Sequence, residues 1–248
     1  MSVQITGNRR QRTAVGIVGL ALLVSACSGG AADSDGPTSE ENEVDSTSSA
    51  IQGWTDVCEV LDPDALSEQL HIAEYDEGPN HLGMNEGNFP GALKCNFSFY
   101  FPDYSDDESE DRDRNGWVYM VLAPYSGADE AADAYQDTYD DAAQQLRERP
   151  DKEQVVDREI SGDWDRGAVL ASVGSGNATR AMYLKDSYFV YIEIGYRPDP
   201  GVTDGLALSN METFEDPTYE FTPPELADWF ESEYLPGLDE TITTKLEE

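Results

Sequence analysis

Three apolar runs, Ala168–Val173, Ala178–Leu184 and Tyr188–Tyr196, are separated only by Gly174-Ser175-Gly176-Asn177 and Lys185-Asp186-Ser187. Links this short mark an antiparallel meander, because a parallel neighbour needs a crossover of about a dozen residues. Upstream, Lys94 to Phe101 alternates cleanly. Cys95, Phe97, Phe99 and Phe101 share one face, and Lys94, Asn96, Ser98 and Tyr100 share the other. That pattern predicts a half-buried strand with Cys95 toward the core. Trp117–Ala123 is apolar on both faces, as a central strand is, and an acidic hairpin loop separates the two.

Helix signals frame these strands. Asp62-Pro63 opens a short helix with Ala65, Leu66 and Leu70 on its apolar side. The Gly- and Asn-rich chain from Gly78 to Gly91 reads as a long loop. Ser126 is expected to cap a helix, with Asp129 three residues on. Ala128, Ala131, Tyr135, Tyr139, Ala142 and Leu146 then form a helical stripe to pack on the sheet. After a long loop from Pro198, Thr222-Pro223-Pro224-Glu225 is a capping box. The last helix should bury Leu226, Trp229 and Phe230, and Pro236 should interrupt it. The expected class is α+β: an antiparallel sheet of about five strands with helices packed on it, one globular domain over residues 51–248.

The beginning of the chain reads differently. Arg9, Arg10 and Arg12 form a basic stretch without an acid, followed by the uncharged run Ala14–Val24. As helix that run is about 16 Å long, roughly half of a hydrocarbon core, too short to span but suited to a signal peptide. It ends in Val24-Ser25-Ala26-Cys27, which resembles the lipobox of bacterial lipoproteins. The resemblance implies removal of residues 1–26 as a signal peptide and a diacylglyceryl thioether on Cys27. It also implies a fatty acyl chain, such as palmitate, on the new amino group. Two or more chains make such an anchor durable. Gln11-Arg12-Thr13 lacks the apolar residues of a twin-arginine signal, so general secretion is expected. Residues 28–50 hold no aromatic, Lys or Arg. With Cys27 they make a flexible acidic linker, 27–50. The expected location is the extracytoplasmic face of the cell membrane.

Charge narrows the partners. The net charge is −36, with 51 acids against 15 Lys and Arg. Three of those cations lie in the leader, so the remainder is more acidic still. Such a surface repels nucleic acid and anionic lipid and attracts cations, so weak divalent-cation binding is the most its charge alone implies. Acid spread along the whole chain with scarce lysine fits adaptation to salt better than one cation site. Lipid on Cys27 leaves Cys58 and Cys95 in an oxidising compartment. Two thiols there most simply form one bridge, with two buried free thiols as the alternative.

Several of these features together resemble an actinobacterial lipoprotein family catalogued as a domain of unknown function, thirty-five fifty-eight. They are the lipobox cysteine, the acidic Ser/Thr linker, Cys58 before Leu61-Asp62-Pro63, Cys95 opening a strand, and Gly127-Ala128-Asp129-Glu130-Ala131-Ala132 opening a helix. The resemblance covers residues 50–247 and implies a paired-cysteine, envelope-facing domain without an assigned activity. The acidic insertion at 103–115 departs from that pattern.

Asp111-Arg112-Asp113-Arg114-Asn115-Gly116 fits the first half of a calcium loop, with Asp111, Asp113 and Asn115 as donors. Leu122 stands where the bidentate Glu belongs, so a solvated acidic loop is the expectation and no metal site is assigned. With His71 and His81 the only histidines and no Cys-x-x-Cys, zinc is not expected either. Glu193 interrupts an apolar strand and either meets solvent or lines a cleft, where an acid catalyst would need a carboxylate partner. Tyr188, Tyr191 and Tyr196 offer either packing or an aromatic platform for sugars. No catalytic residue and no cofactor is assigned. The expected function is a non-enzymatic binding or interaction module of the cell envelope, for a protein or small-molecule ligand. The alternative is an envelope hydrolase whose two carboxylates meet only in three dimensions.

Overall fold

The computed structural model describes residues 46–83, 89, 91–101, 115–148, 152–174, 176–199 and 219–248. The leader, Cys27, Asp111 and Asp113 lie outside the described residues. The chain runs α1 (Ser46–Gln52), α2 (Cys58–Leu61), α3 (Pro63–Gln69), β1 (Glu74–Leu82), β2 (Leu93–Tyr100), β3 (Asn115–Pro124) and α4 (Ala128–Arg147). There follow β4 (Lys152–Glu159), β5 (Arg166–Gly174), β6 (Asn177–Lys185), β7 (Tyr188–Tyr196) and α5 (Pro223–Trp229). A π-helical turn (Phe230–Tyr234) then leads into α6 (Leu235–Leu246).

The fold is α+β, built on an antiparallel sheet of seven strands in the order β1-β2-β3-β7-β6-β5-β4. Two meanders, β1–β2–β3 and β4–β5–β6–β7, meet where β3 pairs with β7, Met120 opposite Ile192. The sheet thus has two strands more than expected, and both are edges. β1 occupies part of the stretch read as a loop from Gly78 to Gly91. It carries Pro79 and two register shifts against β2, features an edge tolerates because one row of its backbone groups needs no ladder partner. β4, Lys-Glu-Gln-Val-Val-Asp-Arg-Glu, is charged at both ends and shifts register between Gln154 and Val156. Such edges resist pairing with another chain.

Both faces of the sheet are covered. Cys95, Phe97, Phe99, Val118, Met120, Val190 and Ile192 form one face with Ile51 of α1, Leu61 of α2, Leu66 of α3 and the C-terminal helices. Val121, Leu170, Met182 and Phe189 form the other, under Ala131, Tyr135, Ala142 and Leu146 of α4. The stripe expected of α4 is therefore the packing stripe, apart from exposed Ala128. Its alanines let the helix lie close to the strands. Because the second face is covered too, Lys94 is fully buried and not on an open polar face.

Three local expectations change. The flexible linker was expected to reach Ala50, but residues 46–52 are helical, since Ser48 and Ile51 are buried and leave only the outer side polar. Gly127, not Ser126, is the N-cap of α4; Ser126 instead donates its hydroxyl to Glu130 at 2.5 Å. Pro236 does not break the last helix. The turn before it widens to π geometry, Leu235 N–H bonding to Phe230 O, which relieves the clash a proline ring makes with the preceding turn. From that turn Tyr234 donates to the Leu61 carbonyl, tying the C-terminal helix to α2.

The expected helix starts at Asp62 and Thr222 are present. Asp62, at φ 46°, ends α2 and caps α3 through Ala65 N–H at 3.2 Å. Thr222 and Glu225 make the reciprocal capping box.

A net charge of −36 spread along this chain should make stability rise with sodium chloride, because the Debye length shrinks from about 10 Å at 0.1 M to about 3 Å at 1 M. Thermal melts across that range test it; a melting temperature that falls as salt rises would contradict diffuse self-repulsion.

Candidate functional site

Lys185 pairs with Tyr188 across the turn Asp186-Ser187, and this hairpin sets the register of β6 against β7. Five residues back from Lys185 lies Arg180, and five on from Tyr188 lies Glu193; the two are direct partners. Both point to the α4 face. Their side chains are only 9% and 18% exposed, so the charges are largely withdrawn from water and hold each other. Arg180 Nε donates to Glu193 Oε1 at 2.8 Å, and Nη2 lies 2.7 Å from the same oxygen. Nη1 donates to the Ala142 carbonyl and Nη2 to Gln145 Oε1, each at 2.9 Å. Every Arg180 nitrogen thus already faces a protein oxygen. Glu193 Oε2 accepts from the Tyr191 hydroxyl at 2.9 Å. Burial first, then the Glu193 carboxylate, push the Tyr191 phenol well up, so it stays a donor.

These groups line a cleft of about 420 Å³ between α4 and the strands β3, β6 and β7, a size that suits a small organic ligand. One wall is aromatic. Phe89 stacks on Tyr119 with centroids 6.4 Å apart and meets Tyr191 at 5.6 Å. The other wall is α4, where Asp137 and Asp141 stand one turn apart with Thr138 beside them. Asp141 accepts from Gln145 Nε2 at 2.6 Å and so joins the Arg180 network.

A second groove, about 560 Å³, lies between α3 and the C-terminal helices, lined by Asp62, Glu68, Trp229, Glu233 and Thr241 among others. Among its described lining residues there is no comparable buried ion pair.

Cys58 and Cys95 are bonded, with Cα atoms 5.1 Å apart. The bridge joins the first residue of α2 to β2 beside His81, whose Nδ1 accepts from Val57 N–H at 3.4 Å. Glu193 lines a cleft, as one of its two expected positions, but its direct partner is a guanidinium. The three tyrosines do not form one platform. Tyr188 and Tyr196 belong to the core of the opposite face, and only Tyr191 faces the cleft, as strand alternation requires. Asn115 opens β3 opposite Tyr100. Among the described residues no group of three or more His, Cys, Asp or Glu is arranged to hold a metal ion, and no helix is long and apolar enough to cross a membrane.

Comparison of the chain with family models, with curated proteins and with solved structures gives no match.

Proposed function

We propose that this chain is an exported lipoprotein, anchored by lipid on Cys27 to the extracytoplasmic face of the cell membrane, whose domain is a non-enzymatic binding module. The basic stretch at Arg9–Arg12, the short apolar run after it and the lipobox at Val24–Cys27 support the anchor, and the Cys58–Cys95 bridge fits an oxidising compartment. The observation that carries the binding reading is the cleft over Arg180 and Glu193. It is large enough for a small molecule, and Glu193, the least exposed acid of its described lining, is engaged at both oxygens. An acid catalyst must offer a proton to its substrate, whereas Glu193 accepts at both oxygens, from Arg180 and from Tyr191.

The hydrolase reading draws on the same cleft, because Asp137 and Asp141 on α4 put carboxyls on the wall beside Glu193. It requires one of them to act as acid or nucleophile; Asp141 is tied through Gln145 to the Arg180 network, and Asp137 stands exposed on the helix.

Intact-mass measurement of membrane-extracted protein tests the anchor. The wild-type chain should begin at Cys27 and carry acyl mass. Cys27→Ser should retain its leader and carry none. A wild-type chain that starts elsewhere, or that carries no acyl mass, overturns the lipoprotein reading.

A further inference from the structure

We infer that the cleft between α4 and β3–β7–β6 binds an organic ammonium: a small molecule with a positively charged nitrogen on an apolar body. The inference rests on reading this cleft as the ligand site, and it adds the charge and chemical class of the ligand.

The sign of the ligand follows from how the charges are used. Arg180 is the one cation among the described lining residues, and it would be the natural anchor for a carboxylate or phosphate. Its three nitrogens are instead turned onto Glu193, Ala142 and Gln145, so most of its five N–H groups are committed to the protein and not to an anion. Glu193 neutralises Arg180, and Asp137 and Asp141 then leave the described lining net negative. Asp137 is exposed on the helix and lines the cleft. A bound anion would meet two like charges, whereas a cation would meet two of opposite sign at close range, well within a Debye length.

The body of the ligand follows from the opposite wall. Phe89, Tyr119 and Tyr191 are clustered there, and aromatic faces attract a weakly hydrated cation through their quadrupoles. A bare metal ion gains little from such rings and needs several converging oxygens, and no such group is present among the described residues. An alkylammonium uses both walls: carboxylates for its charge and rings for its methyl or methylene groups. The volume of about 420 Å³ accommodates a molecule of that kind.

Calorimetric titration of the purified chain with benzyltrimethylammonium, against sodium chloride at matched ionic strength, tests this. Binding should saturate at one site per chain. The double variant Asp137→Asn with Asp141→Asn and the single variant Tyr119→Ala should each weaken it by about tenfold. Tyr119→Phe, which keeps the ring, should stay within about twofold. Asp137→Asn alone, at an exposed helix position, should weaken binding without disturbing the fold, which keeps the test decisive if a ring variant fails to fold. No saturable binding, or binding unchanged in the aspartate variants, overturns the inference. Phenylacetate, an anion of similar size, separates the two levels. Saturable phenylacetate binding that depends on Tyr119, with none by the ammonium, would leave the cleft as the ligand site and refute its cation selectivity.

Discussion

Arg180→Ala should be among the most destabilising single substitutions in this domain, at about 3–5 kcal/mol. The alanine removes the partner of a carboxylate whose side chain is 18% exposed, together with the guanidinium's bonds to the Ala142 carbonyl and the Gln145 amide oxygen. Most of the cost is therefore the uncompensated charge on Glu193 and not the attraction itself. A second variant separates the two. Arg180→Met with Glu193→Leu removes both charges and keeps the volume apolar, and it should recover most of the loss, because replacing a buried pair is far cheaper than breaking one. Urea unfolding at constant slope reads both. At about 2–4 °C per kcal/mol for a domain of this size, the single variant should melt roughly 10 °C lower. A double variant as unstable as the single one would show that the pair holds the fold through its geometry, and would refute the account given of its charge.

The strands that could be read from the sequence are those with neighbours on both sides. β2, β3, β5, β6 and β7 each bury one or both faces, so their apolar residues recur at the strand period or run continuously. β1 and β4 are edges with polar, charged compositions, and nothing in Glu-Tyr-Asp-Glu-Gly-Pro-Asn-His-Leu obeys a period of two. Their place is decided by the partner strand and not by local pattern, which is why counting apolar runs stopped at about five strands. A similar tertiary override makes helix of Ser46–Gln52, where Ile51 supplies the buried anchor beyond an otherwise polar run.

The site was half legible for a related reason. Glu193 announces itself by interrupting an apolar strand, and Arg180 interrupts the preceding strand in the same way. A two-residue turn between them sets the register, so counting outward from Asp186-Ser187 would have placed the two opposite each other. What no local pattern could supply was the other wall. Asp137 and Asp141 look like any pair among 51 acids until α4 is laid across the sheet. Tyr119 and Phe89 come together only through the fold.

Removing the disulfide should cost about 4 kcal/mol in the chain-entropy model, and the manner of the loss matters as much as its size. Cys58 and Cys95 are 37 residues apart in sequence, and the loop they close contains α3, β1 and the start of β2. Releasing that loop mainly enlarges the ensemble open to the unfolded chain. Cys58 is 8% exposed and Cys95 is fully buried, so Cys58→Ala with Cys95→Val keeps both positions apolar and leaves the native packing close to intact. The variant should therefore unfold at lower urea with a steeper dependence on denaturant, since a less constrained chain exposes more surface. A purely local packing defect would lower the midpoint and leave the slope unchanged. Peptide mapping of the native protein without reductant should also show Cys58 linked to Cys95. Two freely alkylatable thiols would remove the bridge from the account, and an unchanged slope would move its stabilising effect from the unfolded chain to the folded one.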